Sequence, residues 1–143
     1  PAALSHMQLP EALREHARYF GELTGLKISV SELTPFPPLK DAVQLAFFRS
    51  AQEILTNVVR HARASSVAIL LDANAQSITM EIVDNGIGIE MASVERPGAL
   101  GLLGIRERFS ALGGDLSLRR NPEAGTSVSI RLPRPGPAAR LVS

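Results

Sequence analysis

Apolar positions between residues 47 and 62 repeat at helical spacing. Phe47, Ile54, Leu55, Val58 and Ala62 fall on one arc at ~100° per residue, which predicts a helix from about Lys40 to Ala64. On its other side Arg49, Glu53, Asn57 and Arg60 or His61 recur at steps of three and four, so their side chains stack along one ridge. A ridge kept only for solubility favours long, flexible ions. This one holds an asparagine at its centre, a poor interior helix residue because its amide competes for the backbone. Something other than helix stability selects Asn57.

The remaining pattern supplies the other elements. Pro10 to Leu23 is helical, with Leu13, Ala17, Phe20 and Leu23 as its apolar side and Pro10 placed where a missing N–H is harmless. Gly25 stops it, and Leu26 to Leu33 alternates with the period of a half-buried strand. Thr34-Pro35-Phe36-Pro37-Pro38 is a rigid connector. Val67–Asp72 and Ser77–Asp84 form a hairpin about the turn Ala73–Gln76, with Ile78, Met80 and Ile82 on one face. Leu100 to Leu112 is a third helix closed by Gly113-Gly114. Asp115–Arg119 and Thr126–Leu132 form a second hairpin.

Hairpins make a sheet largely antiparallel, and segregated helices then cover one of its faces. The expected fold class is α/β, a two-layer α/β sandwich whose mixed, largely antiparallel sheet is covered on one face by about three helices. A doubly wound fold is excluded because strands and helices do not alternate. Residues 10–133 form the expected domain, preceded by a tag or linker (1–9) and followed by a flexible tail (134–143). An initial Pro and the run Ser5-His6-Met7 mark the chain as an excised fragment.

Composition narrows the partners. Fifteen basic and fourteen acidic residues leave no net charge to support binding to nucleic acid or to a membrane surface. The absence of cysteine excludes disulfides, thiolate catalysis and Cys-based zinc sites. No apolar run approaches the ~18 residues that span a bilayer.

Three stretches carry candidate chemistry. Asp84-Asn85-Gly86-Ile87-Gly88 ends a strand, where a fixed acid meets a ligand, and Gly86 and Gly88 permit positive φ and close backbone approach to a flat ring. A buried carboxylate accepts only, so it favours the exocyclic amino group of adenine over the keto oxygen of guanine. The plain alternative is a tight turn. A Rossmann fingerprint fails at Met91, and an EF-hand loop fails at Gly86 and Gly88, where oxygen ligands are needed. Gly98, Gly101 and Gly104 lie at a loop-to-helix junction whose free N–H groups suit an anion, with Arg106 and Arg108 adding charge, or else form a simple hinge. Gly125-Thr126 enters the last strand, where threonine is equally an ordinary β-former with its hydroxyl in solvent.

Together these stretches resemble the ATP-binding catalytic domain of sensor histidine kinases, in the GHKL superfamily (Bergerat fold). Glu53-x-x-x-Asn57-x-x-Arg60-His61-Ala62 is similar to the N box, Asp84 to Gly88 to the G1 box, Gly101-Leu102-Leu103-Gly104-Ile105-Arg106-Glu107-Arg108 to the G2 box, and Gly125-Thr126 to the threonine that follows. The wording of residues 52–62 and 104–108 is similar to the nitrate-sensor-like kinases whose partners are helix-turn-helix response regulators.

The resemblance implies Mg²⁺-ATP as ligand and transfer of its γ-phosphate to a histidine on a separate dimerisation domain. It implies a metal contact by Asn57, phosphate contact by Arg60, and His61 bordering the nucleotide. Asp84 then accepts from adenine with Thr126 completing the contact, Gly86 and Gly88 shape the loop, Leu102 borders the nucleotide, and Gly101 and Gly104 hinge a lid. Glu53 is the catalytic acid, whether it orients metal-bound water or assists the attacking imidazole. His16 lacks the context of a phosphoacceptor and reads as a surface residue. A cytoplasmic location follows, whether or not a parent kinase is anchored in the inner membrane. Two rivals share these residues: another GHKL ATPase or anti-sigma-type serine kinase, and a non-catalytic module switched by nucleotide.

Overall fold

The computed structural model describes residues 6–87 and 101–134. In chain order the elements are α1 (Leu9–Thr24), β1 (Lys27–Glu32), α2 (Asp41–Asn57) running into a π-turn (Val58–Ala62), β2 (Ser66–Ala73), β3 (Ser77–Asp84), α3 (Leu102–Ala111), β4 (Asp115–Arg120) and β5 (Thr126–Pro133). The strands lie in the order β1-β2-β3-β5-β4. All neighbours are antiparallel except β1 and β2, which are parallel and joined through α2. This is the expected two-layer sandwich.

Alternation along the strands decides which face is covered. Val67, Ile69 and Leu71 of β2, Ile78, Met80 and Ile82 of β3 and Val128, Ile130 and Leu132 of β5 are buried beneath the helices. Every member of the predicted arc of α2 (Phe47, Ile54, Leu55, Val58, Ala62) is buried with them. Phe47 meets Phe109 of α3 with ring centroids 4.8 Å apart, tying the two helices over the sheet.

Three expectations are corrected. Leu23 is 67% exposed, and the buried side of α1 instead begins earlier, at Leu9 and Ala12. The long helix does not stay α-helical to Ala64. The N–H of Val58 is shared between the carbonyls of Ile54 and Leu55, the π-turn follows, and Arg63 ends it in the left-handed region at φ 51°. Asn57-Val58-Val59 places three weak helix formers in a row, and single π-turns are frequent at functional sites. Third, His16 is not a plain surface residue. Its ring is half-buried, stacked on Phe20 at 5.6 Å and edge-on to Phe48 at 5.7 Å.

Burial lowers the His16 pKa below the ordinary 6.5, so the fold holds this ring neutral. The unfolded chain then binds more protons below that value. Stability is expected to be full above pH 6.5 and to fall as pH drops through it, a slope that His16→Leu should flatten in thermal melts across this range.

Candidate functional site

The ridge of α2 faces a cleft of about 460 Å³ lined by Arg49, Gln52, Glu53, Thr56, Asn57, Arg60, His61 and Gly101. Glu53, Asn57, Arg60, His61 and Gly101 are thus brought together as the sequence predicts. Arg49, Gln52 and Thr56 extend the cleft along the same helix. They were not singled out as site residues, although Arg49 already stood on the ridge. Two arginines against one carboxylate make this wall suited to an anion.

Asp84 lies elsewhere. It borders a second, much smaller pocket of about 10 Å³ lined by Ile54, Asn57, Val58, Ala62, Ile82, Leu102 and Val128. Asn57 belongs to both spaces, so it is the joint between a cationic cleft and an apolar pocket with an acid at its floor. The side chain of Leu102, 2% exposed, closes the apolar side. The small pocket has room for about one water in this form.

Asp84 is 5% exposed at the end of β3. Burial raises its pKa above the ordinary carboxylate value, opposed by backbone N–H donation from Gly86 and Thr126. The Gly86 N–H lies 2.8 Å from Oδ1. Both neighbouring glycines have packing reasons. A Cβ on Gly86 would overlap the carbonyl of Ala62, whose oxygen also accepts from the Ile87 N–H at 2.8 Å. Gly86 does not use positive φ, contrary to expectation; close approach to the π-turn is what requires it. Gly125 has φ 87°, and a Cβ there would overlap the carbonyl of Asp84. Thr126 is buried, not solvent-facing. Gly88 and Gly98 fall outside the described residues.

Asn85 fixes the loop that carries these groups. Its Oδ1 accepts from the N–H groups of Ser65 and Ser66 at 2.9 and 3.0 Å, and its Nδ2 donates to Ser65 Oγ at 2.9 Å. That lock holds the end of β3 to the start of β2.

The start of α3 differs in part from expectation. Gly101 carries the left-handed φ of 67° at the helix N-cap. Gly104 sits within α3, and a Cβ there would meet nothing within 4 Å. Arg108 does not serve the helix N-terminus. Seven residues on, it reaches across to α2, where Nη2 stands 3.5 Å from Glu53 Oε1.

Residues 42–136 match the family described as histidine kinase-, DNA gyrase B- and HSP90-like ATPase. The chain is 32% identical over 131 residues to the signal transduction histidine-protein kinase/phosphatase DegS of Brevibacillus brevis, covering 92% of this chain and 34% of that protein. It is 29% identical over 136 residues to the sensor histidine kinase NarS of Mycobacterium tuberculosis, covering 93% and 31% respectively. The chain therefore spans about a third of the length of the curated relatives it matches. Among solved structures, the histidine kinase domain of the Erythrobacter litoralis EL346 blue-light activated histidine kinase superposes with a TM-score of 0.67 at 25% identity, over 89% of this chain and 61% of that one.

Proposed function

This chain belongs to the histidine kinase-, DNA gyrase B- and HSP90-like ATPase family, and on that premise we propose that it binds Mg²⁺-ATP across the Asn57 joint. Within a longer kinase it presents the γ-phosphate to a histidine on a separate dimerisation domain. The observation that carries the reading is the pairing, at one asparagine, of a cationic cleft with a pocket floored by a buried acceptor.

The residues divide the work by chemistry. Asp84 and Thr126 hold the adenine amino edge, Gly86 shapes the loop beside it, and Leu102 packs on the base. Asn57 offers a neutral oxygen to Mg²⁺. Among the described residues no group of three or more His, Asp or Glu side chains could hold a metal, which suits an ion that draws most of its ligands from phosphates and water. Arg60 neutralises phosphate charge, His61 borders the nucleotide, and Gly101 with Gly104 lets the backbone at the head of α3 move and approach the triphosphate. Glu53 would act as the catalytic acid, orienting metal-bound water or assisting the attacking imidazole. Phosphoryl transfer needs mostly positioning and charge neutralisation, which a wall of this kind supplies.

The similarity in residues 52–62 and 104–108 supports a nitrate-sensor-like kinase, with a helix-turn-helix response regulator as its downstream partner. No helix among the described residues is long and apolar enough to cross a membrane.

The test mixes the chain with labelled ATP and the dimerisation domain of a related kinase. Acid-labile, base-stable label on the added domain is the expected result. Tight ATP binding without any label would replace the kinase reading with a nucleotide-driven switch, and rapid phosphate release without it would point to an ATPase.

A further inference from the structure

Helices α2 and α3 are pinned together by one guanidinium. Arg108 Nη1 donates to Ser50 Oγ at 3.1 Å while Nη2 stands 3.5 Å from Glu53 Oε1. Ser50 is fully buried and lies one turn before Glu53, so the two contacts hold both ends of the planar fork. The second oxygen of Glu53 lies near Gly101. A Cβ built on Gly101 would come within 3.5 Å of Oε2, which places that oxygen at the Gly101 edge of the cleft. The carboxylate is therefore divided, one oxygen beside the Arg108 guanidinium and one beside Gly101, where α3 begins and the cleft is lined.

We propose that Arg108 is the positioning residue for Glu53, setting which carboxylate oxygen faces the cleft and coupling the seating of α3 to the alignment of the acid. The coupling has a direct route, because the first residues of α3 are those that border the site. Gly101 lines the cleft and Leu102 closes the pocket above Asp84. A shift of α3 that moves these two residues also moves the guanidinium anchored about two turns further along the helix. Folding stability accounts for the bond to the buried Ser50 hydroxyl but not for the Glu53 half of the contact. The Arg108 and Glu53 side chains are 36% and 44% exposed, and ion pairs this exposed contribute little to stability. A lysine would also satisfy a simple charge pairing, whereas reaching a buried hydroxyl and a carboxylate at once needs the fork. The proposal rests on the reading of Glu53 as the working acid of an ATP site.

The test is a double-mutant cycle on the 143-residue chain mixed with the dimerisation domain of a related histidine kinase. Histidine-bound and inorganic phosphate are both counted at saturating Mg²⁺-ATP for the unmodified chain, Arg108→Ala, Glu53→Gln and the double variant. Affinity is measured separately with a fluorescent ATP analogue. Arg108→Ala is expected to lower turnover about tenfold, to leave affinity within about twofold, and to have less than a twofold further effect once Glu53 is glutamine. Arg108→Lys, which keeps the charge and loses one anchor, should fall between alanine and the unmodified chain; it carries the same cycle if melting curves find the alanine variant unfolded. Equal losses in both Glu53 backgrounds, or a loss confined to affinity, would overturn the proposal. Inorganic phosphate with no label on histidine would remove the histidine-kinase reading while the cycle remains readable. Bound ATP with neither product overturns both.

Discussion

Replacing Gly125 by alanine is expected to destabilise the domain by about 2–5 kcal/mol, lowering its melting temperature by roughly 6–15 °C. Two penalties coincide at this residue. Its φ of 87° lies where a side chain meets its own carbonyl, at a cost of about 1–2 kcal/mol. The added Cβ would also overlap the carbonyl of Asp84, so β5 must move away from the end of β3. That displacement is an overpacking penalty of about 1–3 kcal/mol. It also draws the Thr126 N–H off the Asp84 carboxylate, since the two residues are adjacent. Thermal unfolding without ligand measures the effect. Gly104→Ala is the control, because nothing lies within 4 Å of its Cβ position and its backbone is helical. There alanine should stabilise by up to about 1 kcal/mol. Equal melting temperatures for the two variants would mean that Gly125 is not held against Asp84.

The contrast explains what could be read from residues alone. Periodicity located the five strands and three helices of the described residues because each turns an apolar side to the core, only partly buried in β1, and the arc of α2 is buried in full. The ridge opposite it was equally legible, since residues on one helix face share a wall whatever the rest of the chain does. The failures lie where distant segments meet. Leu23 continues the spacing of α1 but overhangs the end of the packed layer, and the helical period cannot tell where a neighbouring surface stops. The spacing around Gly86 permits positive φ or close backbone approach, and the partner that demands the approach is the Ala62 carbonyl, at the end of the π-turn. His16 offered no pattern at all; its aromatic neighbours come partly from α2. Arg108 pairs with groups more than fifty residues away, and its place in the chain suggested the helix N-terminus instead.

Asp84→Asn is expected to weaken ATP binding by about 1–3 kcal/mol, roughly five- to 150-fold in Kd, without lowering the melting temperature of the free chain. The opposite signs follow from the surroundings of the acid. Burial raises its pKa above the ordinary 3.8, so the folded chain binds this proton more tightly than the unfolded one. The stability that comes from the protonated form is present below 3.8 and is lost as pH rises through the raised folded value. At neutral pH the fold therefore carries a carboxylate at a cost, which a neutral amide removes; its one oxygen still accepts from the Gly86 N–H, and the weakened acceptance from Thr126 offsets only part of that gain. ATP reverses the balance. An amino group of adenine donates to the ionised acid and meets either a donor or a single remaining acceptor when the residue is asparagine. Affinity of the unmodified chain should accordingly fall as pH drops through the raised Asp84 value, beyond any change intrinsic to ATP. The Asp84→Asn variant supplies the reference, since it retains the nucleotide's own titration and lacks that of residue 84. Parallel pH profiles for the two proteins, or an unchanged Kd at neutral pH, would separate Asp84 from the adenine and leave it as a turn residue whose buried charge serves only the packing of Gly86 and Thr126.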